Sequence, residues 1–290
     1  YTTLFRSVWN MMQRLGERIA EEEQYAVKEM HAERAQGEKV IPVLFEEMDG
    51  IWLHMQNSNH RKMKKQEMKV FTMYEGWDKE QKKRSSLVEK TMLAGMESSQ
   101  IFHEKREALI EKKYNADEIQ QRILNGDGGS WIRETYDPDA IFQLDRYHIY
   151  QEILRKISDR DAQREARKLF EEEKITELLE FILVYADSVE TTDEKDKRSQ
   201  KARELYHYLN NNKDGLLPYQ KQGRKIPEPR EGIVYKNMGV QESQNCTVIT
   251  MRMKHRRMRW SAKGANNLAK VLCCKENKEL CSTIERYTDG

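Results

Sequence analysis

The chain has 290 residues, with 51 Lys and Arg against 49 Asp and Glu, a formal net charge of +2 and a charged fraction of 34%. With mean hydropathy of −0.93, this composition describes a helix-rich, water-soluble protein with core enough for one large domain or two modest ones. It lacks the run of about 18 apolar residues that a transmembrane helix needs, and a cytoplasmic protein without a signal peptide is expected.

The four cysteines, Cys246, Cys273, Cys274 and Cys281, make no CxxC pair, so free thiols are expected rather than zinc or disulfides. The first residue is Tyr1 rather than Met, which fits a fragment of a longer protein.

In chain order, residues 8–34 predict helix, with Val8, Met11, Met12, Leu15 and Ile19 at apolar spacing. Gly16 interrupts the pattern as a turn between two helices would. Residues 1–38 therefore read either as the remnant of a DNA-binding helix-turn-helix or as one amphipathic helix packed on the next domain. The period then changes. VIPVLFEEMDGIWLHMQ (40–56) predicts a strand that ends or bends near Asp49 and Gly50 and continues from Ile51 to Met55. KVFTMYEGW (69–77) predicts a second strand, completing an antiparallel meander.

Residues 85–114 predict a helix, with Leu87, Met92, Met96, Phe102 and Leu109 on one face. Residues 121–127 predict a strand running into the NGDGG turn, and 140–144 another. From 150 to about 212 the chain is helical and heavily charged. Residues 213–232 hold three of the five prolines and read as a loop or linker. A final unit begins at Ile233, and a weakly ordered tail is expected after about Lys275. Strands, a helix, further strands and then helices suit a mixed α/β sheet flanked by helices.

Two strings carry the chemistry. MDGIWL (48–53) and NGDGGSW (125–131) each set an aspartate beside glycine at the end of an expected strand. A carboxylate so placed is a natural ligand for a hard divalent cation, and Asp49 and Asp127 could share one site assembled from distant strands. Taken singly, each DG pair reads equally as a turn. Metal-dependent phosphoryl transfer needs a further acid. Glu242, in NMGVQESQN, has the placement for it, with Glu228 and Glu231 as competitors in the proline-rich loop. Two basic runs, HRKMKKQEMK (60–69) and MRMKHRRMRWSAK (251–263), favour phosphate backbones, although the first reads as well as a solvated face. Trp260 could stack on a base or pack in the core, and Trp52 and Trp131 read as core or site-wall residues.

The strings VLFEEMDGIWLHMQ, ILNGDGGSWIRE, FQLDRYHIYQEI and GVQESQNCTVITMRMKHRRMRWSAKGANNLAKV span most of the chain, from about 8 to 271. In order and spacing they resemble the ISLre-two family of bacterial insertion-sequence transposases. Glu242, Trp260, Ser261, Gly264 and Ala265 stand where that family's last block carries its glutamate, Trp-Ser and Gly-Ala. After Glu242 the chain departs from the family's serine-rich stretch.

The resemblance implies a DDE transposase with an RNase H-like core, an α/β fold built on a mixed five-stranded sheet with flanking helices. That core would occupy 39–150 and 233–272, interrupted by an all-helical insertion and linker at 151–232. An N-terminal helical segment, 1–38, would precede it and a tail, 273–290, would follow. Asp49 would lie on the first strand, Asp127 after the fourth and Glu242 on a late helix, forming a catalytic, metal-ligating triad for two Mg²⁺ ions, replaceable by Mn²⁺. Asp145 and His148 would support it. Arg252, Lys254, Arg256, Arg257 and Arg259 would hold DNA phosphates. The implied partners are double-stranded DNA, both element ends and target, and further copies of the chain on that DNA, in a nucleoid-associated protein. The implied reaction is strand cleavage followed by joining of the 3′-hydroxyl to target DNA. An RNase H-like nuclease without strand transfer, an inactive truncated DNA-binding copy, and a helical DNA-binding protein whose DG pairs are turns remain as alternatives.

Overall fold

Strand β1 (Val43–His54) is buried without interruption from Val43 to Asp49, as a strand covered on both faces must be. It pairs antiparallel with β2 (Lys65–Tyr74) and parallel with β5 (Gln121–Gly126). Between β2 and β5 lie β3 (Trp77–Asp78) and β4 (Thr91–Gly95), and β6 (Ile141–Leu144) follows β5. The sheet order is β4-β2-β1-β5-β6, with β2–β4 antiparallel and β5–β6 parallel. With helices on both faces, this is an RNase H-like α/β fold. A separate two-stranded ribbon joins β3 to β7 (Ile233–Val234). The computed structural model describes residues 2–34, 36–56, 64–81, 86–133, 137–193, 195–254 and 258–288.

Helix α1 (Thr2–His31) is continuous, so the expected turn at Gly16 does not occur. A Cβ at Gly16 would overlap the backbone of Asn267 on α10 (Ala262–Glu276). The glycine is there to let two helices meet backbone to backbone. Helix α2 (Ser99–Lys113) is capped by the Ser98 hydroxyl, which accepts from the Ile101 amide, and it covers the opposite face of the sheet. The helix expected over 85–114 is corrected at its start, because Thr91–Gly95 is β4, buried at every position. Its outer edge is closed by side chains: the Met92 and Met96 amides donate to Asn277 Oδ1 (2.7 Å) and Asn266 Oδ1 (3.0 Å). A run of five small and apolar residues fits either period, and only this edge pairing decides it.

A short α3 (Ser130–Arg133) follows β5, and β6 leads into α4 (Arg146–Lys156), α5 (Arg160–Glu171), α6 (Ile175–Ser188) and α7 (Arg198–Asn211). Ile149 and Ile153 of α4 share one core with Phe170, Leu178, Ile182, Leu205 and Leu209, so the helical block starts at Arg146 rather than at 151. The segment after it does more than link: Tyr219 is buried edge-on against Phe45, with ring centroids 5.5 Å apart. Then α8 (Gln241–Gln244), a π-helical turn (Asn245–Thr250) and α9 (Met251–Met253) form one unbroken helical stretch. The expected loose tail is instead ordered. Helix α10 runs to Glu276, and α11 (Leu280–Thr288) docks on α1, where Tyr287 donates to Glu22 Oε1 at 2.6 Å.

Between the sheet and α2 lies a buried ion network. Arg122 meets Glu46 at 2.6 Å and Glu107 at 2.7 Å, and Arg106 meets Glu107 at 2.7 Å. Burial alone would raise the Glu107 pKa, but Arg122 and Arg106 hold it at about 2. Removing one member of such a network strands the others. Arg122→Met should therefore cost about 3–5 kcal/mol by chemical denaturation. The Glu107 contribution should be present above the carboxyl's ordinary 4.5 and lost as pH falls towards about 2.

Candidate metal centre

Glu47, Asn125 and Gln143 are cross-strand neighbours on β1, β5 and β6. Their side chains form a relay: Asn125 Nδ2 donates to Glu47 (3.1 Å), Gln143 Nε2 to Asn125 Oδ1 (3.1 Å), and the Tyr219 amide to Gln143 (3.0 Å). Side chains on strands return to the same face every second residue. Two residues further along these three parallel strands stand Asp49, Asp127 and Asp145. The register persists to this level, since the Asp145 amide donates to Gly126 O at 2.8 Å. Three aspartates thus share one level where the parallel pairing stops: Asp127 and Asp145 just beyond β5 and β6, and Asp49 within β1, which runs on to His54 instead of ending at the expected Asp49–Gly50 bend.

Glu47 also fixes what lies above them. Its carboxylate accepts from the amides of Gly239, Val240 and Gln241 at 3.0–3.2 Å and from the Tyr74 hydroxyl at 2.6 Å. These amides open the 241–253 helical stretch, so the strand's acid caps the incoming helix. Gly239 takes φ +112° to aim its amide, a conformation that favours glycine. Burial pushes the Glu47 pKa up, against the hydrogen bonds from Tyr74 and the helix amides. One turn into the helix, Asn245 Nδ2 donates to Asp49 Oδ2 at 2.6 Å. Asn245 begins the π-helical turn, a distortion common where a helix serves a site.

The other oxygen of Asp49 accepts from the Gly50 amide at 2.7 Å, and Asp127 Oδ1 accepts from the Gly129 amide at 2.8 Å. Gly128 has φ +80° and lies against Asn212, while Tyr208 donates to the Asp127 carbonyl at 2.9 Å. The end of α7 therefore holds the Asp127 loop. Asp145 caps α4 by accepting from the Tyr147 amide at 3.3 Å. His148 Nε2, one turn on, lies 3.6 Å from Asp49 Oδ1 and 3.8 Å from Asp145 Oδ2. Burial opposes its protonation, but the hydrogen bond to Asp49 and the charges of Asp49, Asp145 and Asp127 lift its pKa to about 9. Burial raises the Asp145 pKa, and His148 counters it.

The structure thus gathers Asp49, Asp127, Asp145 and His148. Glu242 sits on α8, three residues before Asn245, with its side chain exposed. Among the described residues, no three His, Cys, Asp or Glu side chains already form a metal-ligand set; Asp49 and Asp145 close on the His148 ring instead. The donor set nevertheless suits a hard cation, with three aspartates converging and one imidazolium as their internal counter-charge. Arg252, Lys254 and Arg259 are exposed, and Arg256 and Arg257 lie outside the described residues. Lys64 and Lys65 join this basic rim, because Met55 pairs with both Lys64 and Trp260. Trp260 is half-buried, donating to Met253 O at 2.7 Å, and Trp131 packs edge-on against Phe102. Trp52 is not a core residue: it is 51% exposed.

Sequence reasoning missed Glu67. It sits within a basic run, yet its pKa is raised by burial and by the charges of Asp127 and Asp49. The second strand was expected only from 69, whereas β2 starts at Lys65 and so carries Glu67 beside the Asp49 strand. Asn245 was missed too, and only the helix register reveals it.

Fold and site together define an RNase H-like α/β protein with a carboxylate cluster at the level where the pairing of its parallel strands ends. The chain belongs to the uncharacterised protein family UPF0236, whose model matches residues 10–286. It is similar to UPF0236 protein TTE2489 of Caldanaerobacter subterraneus subsp. tengcongensis, 25% identical over 172 residues, 58% of this chain and 34% of that protein. Another relative there, at 25% over 58% of this chain and 33% of its own length, has a name joining four locus labels, TTE0610 to TTE2432. A third, at 24% over 58% and 33%, joins eleven, TTE0033 to TTE2212. The chain spans about a third of the length of these relatives.

Two outcomes follow from the geometry. In metal-free protein, the His148 ring should titrate near pH 9 by NMR and shift down in Asp49→Asn. Its pairing should contribute stability fully below the ordinary histidine value of 6.5 and lose it as pH rises through about 9. Glu47→Ala should speed hydrogen exchange at the amides of 239–241 and cost about 3 kcal/mol or more, because several buried donors lose their acceptor.

Proposed function

We propose that this chain is the catalytic core of a DNA transposase of the insertion-sequence type, which cuts DNA strands and joins the freed 3′-hydroxyl to a target. The observation that carries this reading is the register of Asp49, Asp127 and Asp145 on an RNase H-like sheet, beneath a helix that bears Asn245 and Glu242. The resemblance of the four sequence blocks supports it. So do the relatives whose names join four and eleven locus labels of one organism, a multiplicity that mobile elements generate.

Asp49, Asp127 and Asp145 would hold the divalent metal, with Glu242 as the acid contributed by the helix. When bound, Mg²⁺ or Mn²⁺ supplies charge to the phosphate oxygens and lowers the pKa of the attacking hydroxyl or water. The chain's own residues supply the aim. Asn245 and the Gly50 amide fix both oxygens of Asp49, and the Gly129 amide fixes one of Asp127. His148 offsets part of the cluster's negative charge before metal enters. Lys64, Lys65, Arg252, Lys254 and Arg259 offer a phosphate-binding rim. From Asp49 to His54, beside that rim, is five residues of β-strand, about 17 Å. That reach matches about five base pairs of duplex.

The test incubates the full-length protein with element-end DNA and Mn²⁺ and reads cleaved and joined products. Asp49→Asn, Asp127→Asn and Glu242→Gln should each reduce cleavage by about 100-fold or more while DNA binding persists. If Glu242→Gln cleaves normally and Asp145→Asn does not, Asp145 is the third acid. Cleavage without joined products would mark a nuclease instead.

A further inference from the structure

The three aspartates do not explain why glycine follows Asp49 or why tryptophan closes NGDGGSW. Glu67 accounts for both. It lies across from Trp52 in the β1–β2 register, so its side chain leaves the sheet on the face opposite Asp49. Gly50 opens on that same face, and a Cβ there would overlap Glu67 Oε1. The carboxylate fills the space a side chain at 50 would take.

This happens where β1, still paired with β2, has lost its β5 neighbour. The pairing with β5 ends at Met48 and Gly126, and β1 next meets a neighbour on that side at the Met55–Trp260 bridge. The Glu67 carboxylate therefore rests over a stretch of β1 that keeps β2 on one side but, among the described residues, has no strand on the side towards Asp127. The Trp131 indole and the charges of Asp127 and Asp49 all act on it. Lys69, which also acts on it, turns its Nζ to Glu97 O at 2.9 Å. Among the described residues no cation forms an ion pair with Glu67. A half-buried carboxylate beside two others, with no such partner, is left to attract a cation from outside.

Resting on the metal-centre reading above, we propose that Glu67 is a further working carboxylate of that centre, approaching beside Gly50 along the unpaired side of β1 and strengthening divalent-cation binding at Asp49 and Asp127. Trp131 then serves as its positioning donor.

The test is calorimetric titration of the 290-residue chain with Mn²⁺, alongside Glu67→Gln, Gly50→Ala and Asp49→Asn. Thermal unfolding of the metal-free proteins controls for folding. Glu67→Gln should weaken Mn²⁺ binding about 10- to 100-fold, with metal-free Tm unchanged or raised. Gly50→Ala should weaken it too, because the methyl displaces the carboxylate, and the double variant should lose little beyond Glu67→Gln alone. Wild-type affinity in Glu67→Gln, with Asp49→Asn deficient, overturns the role of Glu67 and leaves the centre standing. Wild-type affinity in Asp49→Asn as well overturns the centre, and this assignment with it.

Discussion

The Glu47 carboxylate is the point on which the site depends. It lies on the central strand two residues before Asp49, and three successive amides of the 239–241 segment converge on it. A buried acid of this kind is tolerable only when it is fully hydrogen-bonded, and here the incoming helix supplies most of the donors. That single anchor sets the height and rotation of the helix that brings Asn245 onto Asp49 and carries Glu242. The relay from Tyr219 through Gln143 and Asn125 ties the same carboxylate to β5 and β6, the strands that carry Asp127 and Asp145. One carboxylate thus coordinates every element that reaches the centre.

The helical block beyond β6 belongs to the same mechanical unit. Its last helix presents Tyr208 to the Asp127 carbonyl and Asn212 to Gly128, so an element remote in sequence holds the loop after β5. Its first helix carries Asp145 as cap and His148 as the positive partner of the cluster. A helical block so placed holds both the Asp127 loop and the His148 ring against the carboxylates.

Much of the architecture could be read from the residues. The β-branched run into Asp49, the NGDGG turn and the charged helical block each announced themselves by period and composition. What could not be read depended on partners far along the chain. Gly16 looks like a break until Asn267 is set against it, and 91–95 looks like part of a helix until Asn266 and Asn277 close its edge. The site followed the same division. Asp49 and Asp127 stood out beside glycine, whereas Asp145 gained its place only when the register of β1, β5 and β6 aligned it with them. Glu67 was hidden inside a basic run, because its meaning lies across the sheet at Gly50.

The central claim is that the aligned aspartates form a divalent-cation site held in reserve by His148. The most direct measurement is anomalous diffraction from crystals of the chain equilibrated with Mn²⁺. The account predicts a manganese peak among the carboxylates of Asp49, Asp127 and Asp145, with the His148 ring drawn away from Asp49. No peak there at saturating Mn²⁺, with the ring still against Asp49, would contradict it.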